Sequence, residues 1–207
     1  VILAQCELSL SDPETSVSSR TAFLTIQRQG NRMSRLINDM LDYTRLEMRP
    51  DRYPKQNVDL SALTTSLCDD MALIRQQGIQ LAADIQPEIN IYGNPQLLSR
   101  LVTNLISNAY RYGKENGHIL VRLHSNDTDA SERRSLSLSV EDDGIGISKE
   151  EQKHIFQRFY QVDPSRSGAG TGLGLSMVQQ IAEFHNGTVT VKSAPDDGSI
   201  FTVLMFL

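Results

Sequence analysis

Two glycine-rich runs constrain this chain more than any other stretch: Asp142-Asp143-Gly144-Ile145-Gly146 and Gly168-Ala169-Gly170-Thr171-Gly172-Leu173-Gly174-Leu175. The first run follows the strand-like alternation of Leu136 to Val140 and begins with a carboxylate. The second opens a helix with bare backbone amides. Between them stands Ile155-Phe156-Gln157-Arg158-Phe159-Tyr160. An acid at a strand end and free amides at a helix start suggest a purine held by the one and phosphates held by the other. ATP is the first ligand this pattern brings to mind.

The 207 residues allow one domain with a substantial core plus an appendage. Charged residues make up 22% and the net charge is −5, so the basic footprint of a nucleic-acid binder is absent. No apolar run approaches the roughly 20 residues of a membrane span. Val1 to Leu10 is apolar but lacks the basic start and the cleavage site of a secretory signal. The chain does not begin with Met, which points to sequence upstream. Cys6 and Cys68 are expected to be buried reduced thiols rather than a disulfide. His118, His124, His154 and His185 are scattered singly, without zinc spacing, and are expected at the surface or in packing roles.

The first fifty residues are helical by period. Phe23, Ile26, Gly30, Met33, Ile37 and Met40 alternate spacings of three and four, a seam suited to bundle packing. Val1 to Leu10 forms a shorter helix, broken from the next by Ser11-Asp12-Pro13. Two such helices are marginal alone, and pairing with a second copy would bury the stripe in a four-helix bundle. The alternative is packing against the rest of the same chain. Arg49 to Pro54 is polar and proline-broken. The expected division is therefore 1–49 for the helices, 50–57 for a linker and 58–207 for a second domain.

In that second domain, short strands are expected at Val58 to Leu60, Ile79 to Ile85, Ile89 to Tyr92, Ile119 to His124, Ser135 to Val140, Thr188 to Lys192 and Ile200 to Leu207. Helices are expected over Ser61 to Gln77, from Asn94-Pro95 to Gly113, and over Thr171 to Phe184. The fold class is α+β: a helical hairpin followed by a two-layer α/β sandwich with its helices on one sheet face.

Asn104 and Asn108 lie four residues apart on the helix from Asn94, and Arg111 three further on, so the three share a face. An amide oxygen suits magnesium, and an arginine beside it suits phosphate. A solvated polar face would look the same. Asp142 can accept the amino group of adenine, while Gly144 and Gly146 permit a tight turn. Gly170, Gly172 and Gly174 precede a helix but lack the P-loop lysine, and no βαβ unit follows, which removes the P-loop and Rossmann readings. Ser148 to Gly170 is long enough for a lid, with Phe156 and Phe159 as candidate pins.

The order of these elements resembles the bacterial sensor histidine kinases of two-component systems. Asn104-Leu105-Ile106-Ser107-Asn108-Ala109-Tyr110-Arg111-Tyr112 is similar to that family's N box, Asp142 to Gly146 to its first glycine box, Phe156 to Tyr160 to its F box, and Gly170 to Leu175 to its second glycine box. Arg32 to Glu47 resembles its second dimerisation helix. The resemblance implies a dimerisation and phosphotransfer hairpin followed by an ATP-binding domain of the gyrase–chaperone type. It implies that Asp142 holds adenine and that Asn108, with Asn104 close by, ligates Mg2+. Arg111 and Arg158 would approach the phosphates, Tyr112 would flank the nucleotide, and Gly144, Gly146, Gly170, Thr171, Gly172, Leu173 and Gly174 would shape the pocket and lid edge. Implied partners are a second copy through the N-terminal helices and a response regulator receiver domain. The implied location is cytoplasmic, with membrane attachment only through segments outside this chain.

The sequence departs from the family twice. The acceptor-histidine motif is absent, so the chain is expected to begin past its own acceptor and to bind ATP without phosphorylating itself. Gln161 stands where the family often carries arginine. Gyrase-like relatives place a hydrolytic glutamate where Asn104 lies, and an amide cannot act as general base toward water. A hydrolytic ATPase and a nucleotide-gated scaffold without transfer chemistry remain the rival functions.

Overall fold

The computed structural model describes residues 1–12, 15–73, 78–126, 134–162 and 170–206. Two helices come first, α1 (Ile2–Ser11) and α2 (Val17–Met48). Ser16 caps α2 by accepting from the Ser19 amide, and Gly30 of α2 faces Leu3 of α1. Phe23 is half-buried, but Ile26, Met33, Ile37 and Met40 of the seam are 45–64% exposed. The hairpin thus shows an apolar stripe that the other described residues do not cover.

A turn of 3-10 helix (Pro50–Arg52) leads to β1 (Gln56–Asp59), which starts inside the segment expected as linker. Asp59 caps α3 (Leu60–Ala72) by accepting from the Ala62 amide at 2.9 Å. The helix therefore takes Leu60, expected in a strand, and stops before the expected end at Gln77; residues 74–77 lie outside the described ones. There follow β2 (Gln80–Ile85), β3 (Asn90–Gly93), α4 (Pro95–Tyr112), β4 (His118–Asn126), β5 (Ser135–Asp142), α5 (Gly174–Phe184), β6 (Thr188–Ser193) and β7 (Ser199–Phe206).

Among the described residues, β1 and β3 form a small antiparallel ribbon, and β2-β4-β5-β7-β6 form a five-stranded sheet. β2 runs parallel to β4, and the other neighbours are antiparallel. β2 and β3 do not pair with each other, although only four residues separate them. In β5 the alternation is regular from Leu136 onward: Leu136, Leu138 and Val140 are fully buried beneath the helices, while Ser137, Ser139 and Glu141 are half-buried on the other face. Asp142 continues the inward period, so strand geometry alone carries its carboxylate to the core side.

Helix α4 supplies the opposite layer with Leu97, Leu98, Leu101, Val102, Leu105, Ile106 and Ala109, and α5 with Met177, Val178, Ile181 and Ala182. Each fully buried Leu or Ile contributes about 1.5–3 kcal/mol. The N-terminus of α4 is fixed by a buried relay. Asn94 accepts from the Leu97 amide, its own backbone N–H donates to Nε2 of His185 at 3.1 Å, and His185 Nδ1 donates to the Ile181 carbonyl at 2.8 Å. Burial pushes the His185 pKa down, which keeps this ring neutral. Cys6 and Cys68 are both free and buried. No described helix is long and apolar enough to cross a membrane.

Candidate nucleotide site

The inward face of α4, the end of β5, the start of α5 and one face of α2 enclose a cleft of about 310 Å³. That is within the ~300–1,000 Å³ of small-molecule sites. Asn104, Asn108, Arg111 and Tyr112 line it from α4, Asp142 from β5, and Gly146, Thr171, Gly172 and Gly174 from the two glycine runs. Residues distant in sequence and singled out for their chemistry thus meet in one cavity.

At the closed end, Asp142 is 5% exposed. Its Oδ1 accepts from the Gly144 amide at 2.9 Å. Its carboxyl is pushed up to about 6: burial is the largest cause, hydrogen bonds from the Gly144 and Ser199 backbone oppose it, and neighbouring Asp143 and Glu141 add to it. Ile145, Ile147, Ile155 and Leu175 add apolar surface to the lining of the same cleft. One hydrogen-bond acceptor in an apolar slot suits a flat heterocycle with an exocyclic amino group. Gly146 turns the chain here at φ +66°, and a Cβ on it would lie 1.8 Å from the Ala194 carbonyl oxygen, so only glycine fits.

The open end is polar. Asn104 Nδ2 reaches the Gly174 carbonyl at 3.4 Å, and Asn108 also lines the cleft. Among the described residues no group of three or more His, Cys, Asp or Glu could hold a metal. A cation here would take amide oxygens, water and the ligand's own phosphates, a donor set that suits magnesium. The first turn of α5 presents amides with no intrahelical acceptor. The helix begins at Gly174, not at Thr171, and the intervening loop is held apart: Gly172 sits at φ +72° against the Phe159 backbone, and Thr171 Oγ1 donates to Asp39 Oδ2 at 3.0 Å.

Three other expected residues adjoin the cleft without lining it. Gly144 supplies the amide to Asp142, the Gly170 carbonyl accepts from Gln161 Nε2 at 3.0 Å, and Leu173 is buried at the N-cap of α5. Gly168 and Ala169 lie outside the described residues. Arg158 is elsewhere. Its guanidinium bonds Glu47 at 2.7 Å and stacks 4.2 Å from the Tyr43 ring centre, both on α2, instead of facing the phosphate end. Phe156 packs against the core while Phe159 is 53% exposed, so only the first pins the segment.

Residues with no prior claim also line the cleft: Arg35 and Asp39 of α2, Ser107, Tyr160, Val162 and Ser199. Asp39 stands off the apolar seam, a visible trace of a second contact face. Helix α2 is fastened here by Arg100, which pairs with Asp39 at 2.8 Å and with Asp42.

Residues 1–49 match the His Kinase A phospho-acceptor domain, and residues 93–207 match the family described as histidine kinase-, DNA gyrase B- and HSP90-like ATPase. The sensor histidine kinase RppB of Synechocystis is 38% identical over 98% of this chain and 44% of its own length. The circadian input-output histidine kinase CikA of Synechococcus elongatus is 33% identical over 86% of this chain and 24% of its own length. The chain thus spans less than half the length of both relatives. Its fold is similar to full-length ShkA in complex with AMPPNP, with TM-score 0.79, 24% identity, and coverage of 99% of this chain and 42% of that one. It is also similar to the mycobacterial sensor histidine kinase MprB, with TM-score 0.63, 25% identity, and coverage of 73% and 97%. A hairpin of the phospho-acceptor type joined to a cleft of the ATPase type, in that order, makes this chain a member of the sensor histidine kinases.

Proposed function

We propose that this chain binds Mg-ATP in the cleft and serves as the catalytic portion of a kinase that moves the terminal phosphate to a histidine, and from there to an aspartate of a response regulator. One observation carries the reading: a buried carboxylate at a strand end shares a single cavity with the asparagines of α4, Arg111 and the amides opening α5. Asp142 accepts the adenine amino group. Asn108, with Asn104 beside it, holds magnesium, which offsets charge on the phosphates. Arg111 and the α5 amides take the phosphate oxygens, and Thr171 to Gly174 closes over them. Asn104 offers no base toward water, so the phosphoryl group is left for a protein acceptor, and catalysis rests on positioning and charge. Residues 1–49 contain no histidine, and the acceptor imidazole in this proposal comes from outside this chain. The exposed stripe on α2 meets that of a second copy, and any membrane anchor belongs to other segments.

The test is Asp142→Ala. ATP affinity measured by calorimetry should become undetectable while circular dichroism shows a folded domain. Unchanged affinity would remove Asp142 from the site and the reading with it.

A further inference from the structure

We propose that Arg35, on the hairpin and not on the ATPase-type domain, is a phosphate-contacting residue that distinguishes a nucleoside triphosphate from a diphosphate. The inference rests on the nucleotide reading above. Among the described residues lining the cleft, the charged groups are Arg111 on α4, Asp142 at the base end, and Arg35 and Asp39 on α2. A triphosphate keeps net negative charge even with one bound divalent cation, and among the described residues the domain wall answers it with a single side-chain cation, Arg111. Gln161 at the rim is neutral and its amide is taken by the Gly170 carbonyl. Asp39 would repel phosphate, but Arg100 and the Thr171 hydroxyl both engage it. Arg35 lies one turn before Asp39 on the same helix face. Its Nε makes one long bond, 3.4 Å to the Asn31 carbonyl, and among the described residues no carboxylate pairs with it. A planar guanidinium left this way can fork two phosphate oxygens.

Helix α2 is held at the cleft mouth by the Arg100 pairs with Asp39 and Asp42 and by Arg158 on Glu47 and Tyr43. Arg35 therefore reaches the nucleotide only while the hairpin is docked. Triphosphate affinity and docking are then coupled, and each strengthens the other by the same factor.

The experiment is calorimetric titration of Mg-ATP, Mg-ADP and adenosine into the wild-type chain, Arg35→Gln and Arg35→Lys. Arg35→Gln should weaken ATP about tenfold, ADP about threefold or less, and adenosine not at all, with Arg35→Lys recovering part of the loss. Unchanged ATP affinity in Arg35→Gln would overturn this inference and leave the nucleotide reading intact. Equal losses for ATP and adenosine would also overturn it, because Arg35 would then act through the fold. No binding of any of the three ligands by the wild-type chain would overturn the nucleotide reading itself. In an Arg100→Gln background the Arg35→Gln penalty for ATP should shrink, and an undiminished penalty would overturn the dependence on docking.

Discussion

The hairpin and the α/β domain are built from similar fractions of apolar residue but use them oppositely. In the domain, Leu101, Leu105, Ile106, Val121, Leu138 and Val203 are 0% exposed. Among the described residues of the hairpin only Cys6 and Leu46 are buried, while Ile26, Met33, Ile37 and Met40 face outward. The domain closes its core with two layers of its own. The hairpin has only one layer and needs a further surface to become a stable unit. Leu46 and Tyr43 at the end of α2 pack on the domain's core, and beyond them the two regions meet through polar and charged contacts: Arg100 with Asp39 and Asp42, Arg158 with Glu47, and Thr171 with Asp39. Such contacts can be made and released at small cost, unlike an apolar seam.

The largest expected effect separates the two regions directly. Leu105→Ala should destabilise the domain by about 2–5 kcal/mol in urea unfolding, because its site has no solvent to fill the void. Ile37→Asp should change that unfolding by less than about 0.5 kcal/mol, yet shift sedimentation from dimer to monomer. A dimer that survives Ile37→Asp would break the contrast, since the stripe would then have another cover.

Next is a charge effect confined to the domain. The Asp142 carboxyl sits near 6 in the folded chain, above its unfolded value, so the folded state holds a proton that the unfolded state has released. Stability should therefore fall as pH rises from about 4 to about 6, by an amount on the order of 3 kcal/mol, and then level off. Asp142→Asn should abolish this slope and make the ligand-free domain more stable at pH 7 than the wild type, measured by thermal unfolding across that range. An unchanged slope would assign it to another group.

The smallest effect probes the seam between the regions. Arg158 and Glu47 are each about half exposed, so Arg158→Gln should cost less than about 1 kcal/mol, a shift of a few degrees at most in the domain's melting temperature. A larger shift would mean that hairpin and domain unfold as one cooperative unit, and the contrast drawn above would fail.

What was legible in the sequence was what short-range physics dictates. The alternation of Leu136 to Val140 forecast the strand, which the structure extends to Asp142. Asn94-Pro95 forecast the start of α4, and spacing put Asn104, Asn108 and Arg111 on one face. Helix ends were less legible. Asp59 captured the Ala62 amide and moved the start of α3 to Leu60, and Thr171 turned to Asp39 instead of entering α5. Arg158 carried a family expectation of phosphate contact, but its neighbours are Glu47 and Tyr43, more than a hundred residues away.

The sequence by itself determined the helical and strand periods, the Asn94 cap of α4, and the residue types at the cleft, because each depends on neighbours within a few positions along the chain. The parallel pairing of β2 with β4, the placing of Arg158 on α2, and the entry of Arg35 and Asp39 into the cleft were decided only by tertiary structure. Each depends on which distant surfaces bury one another or pair their charges, and no local period encodes that choice.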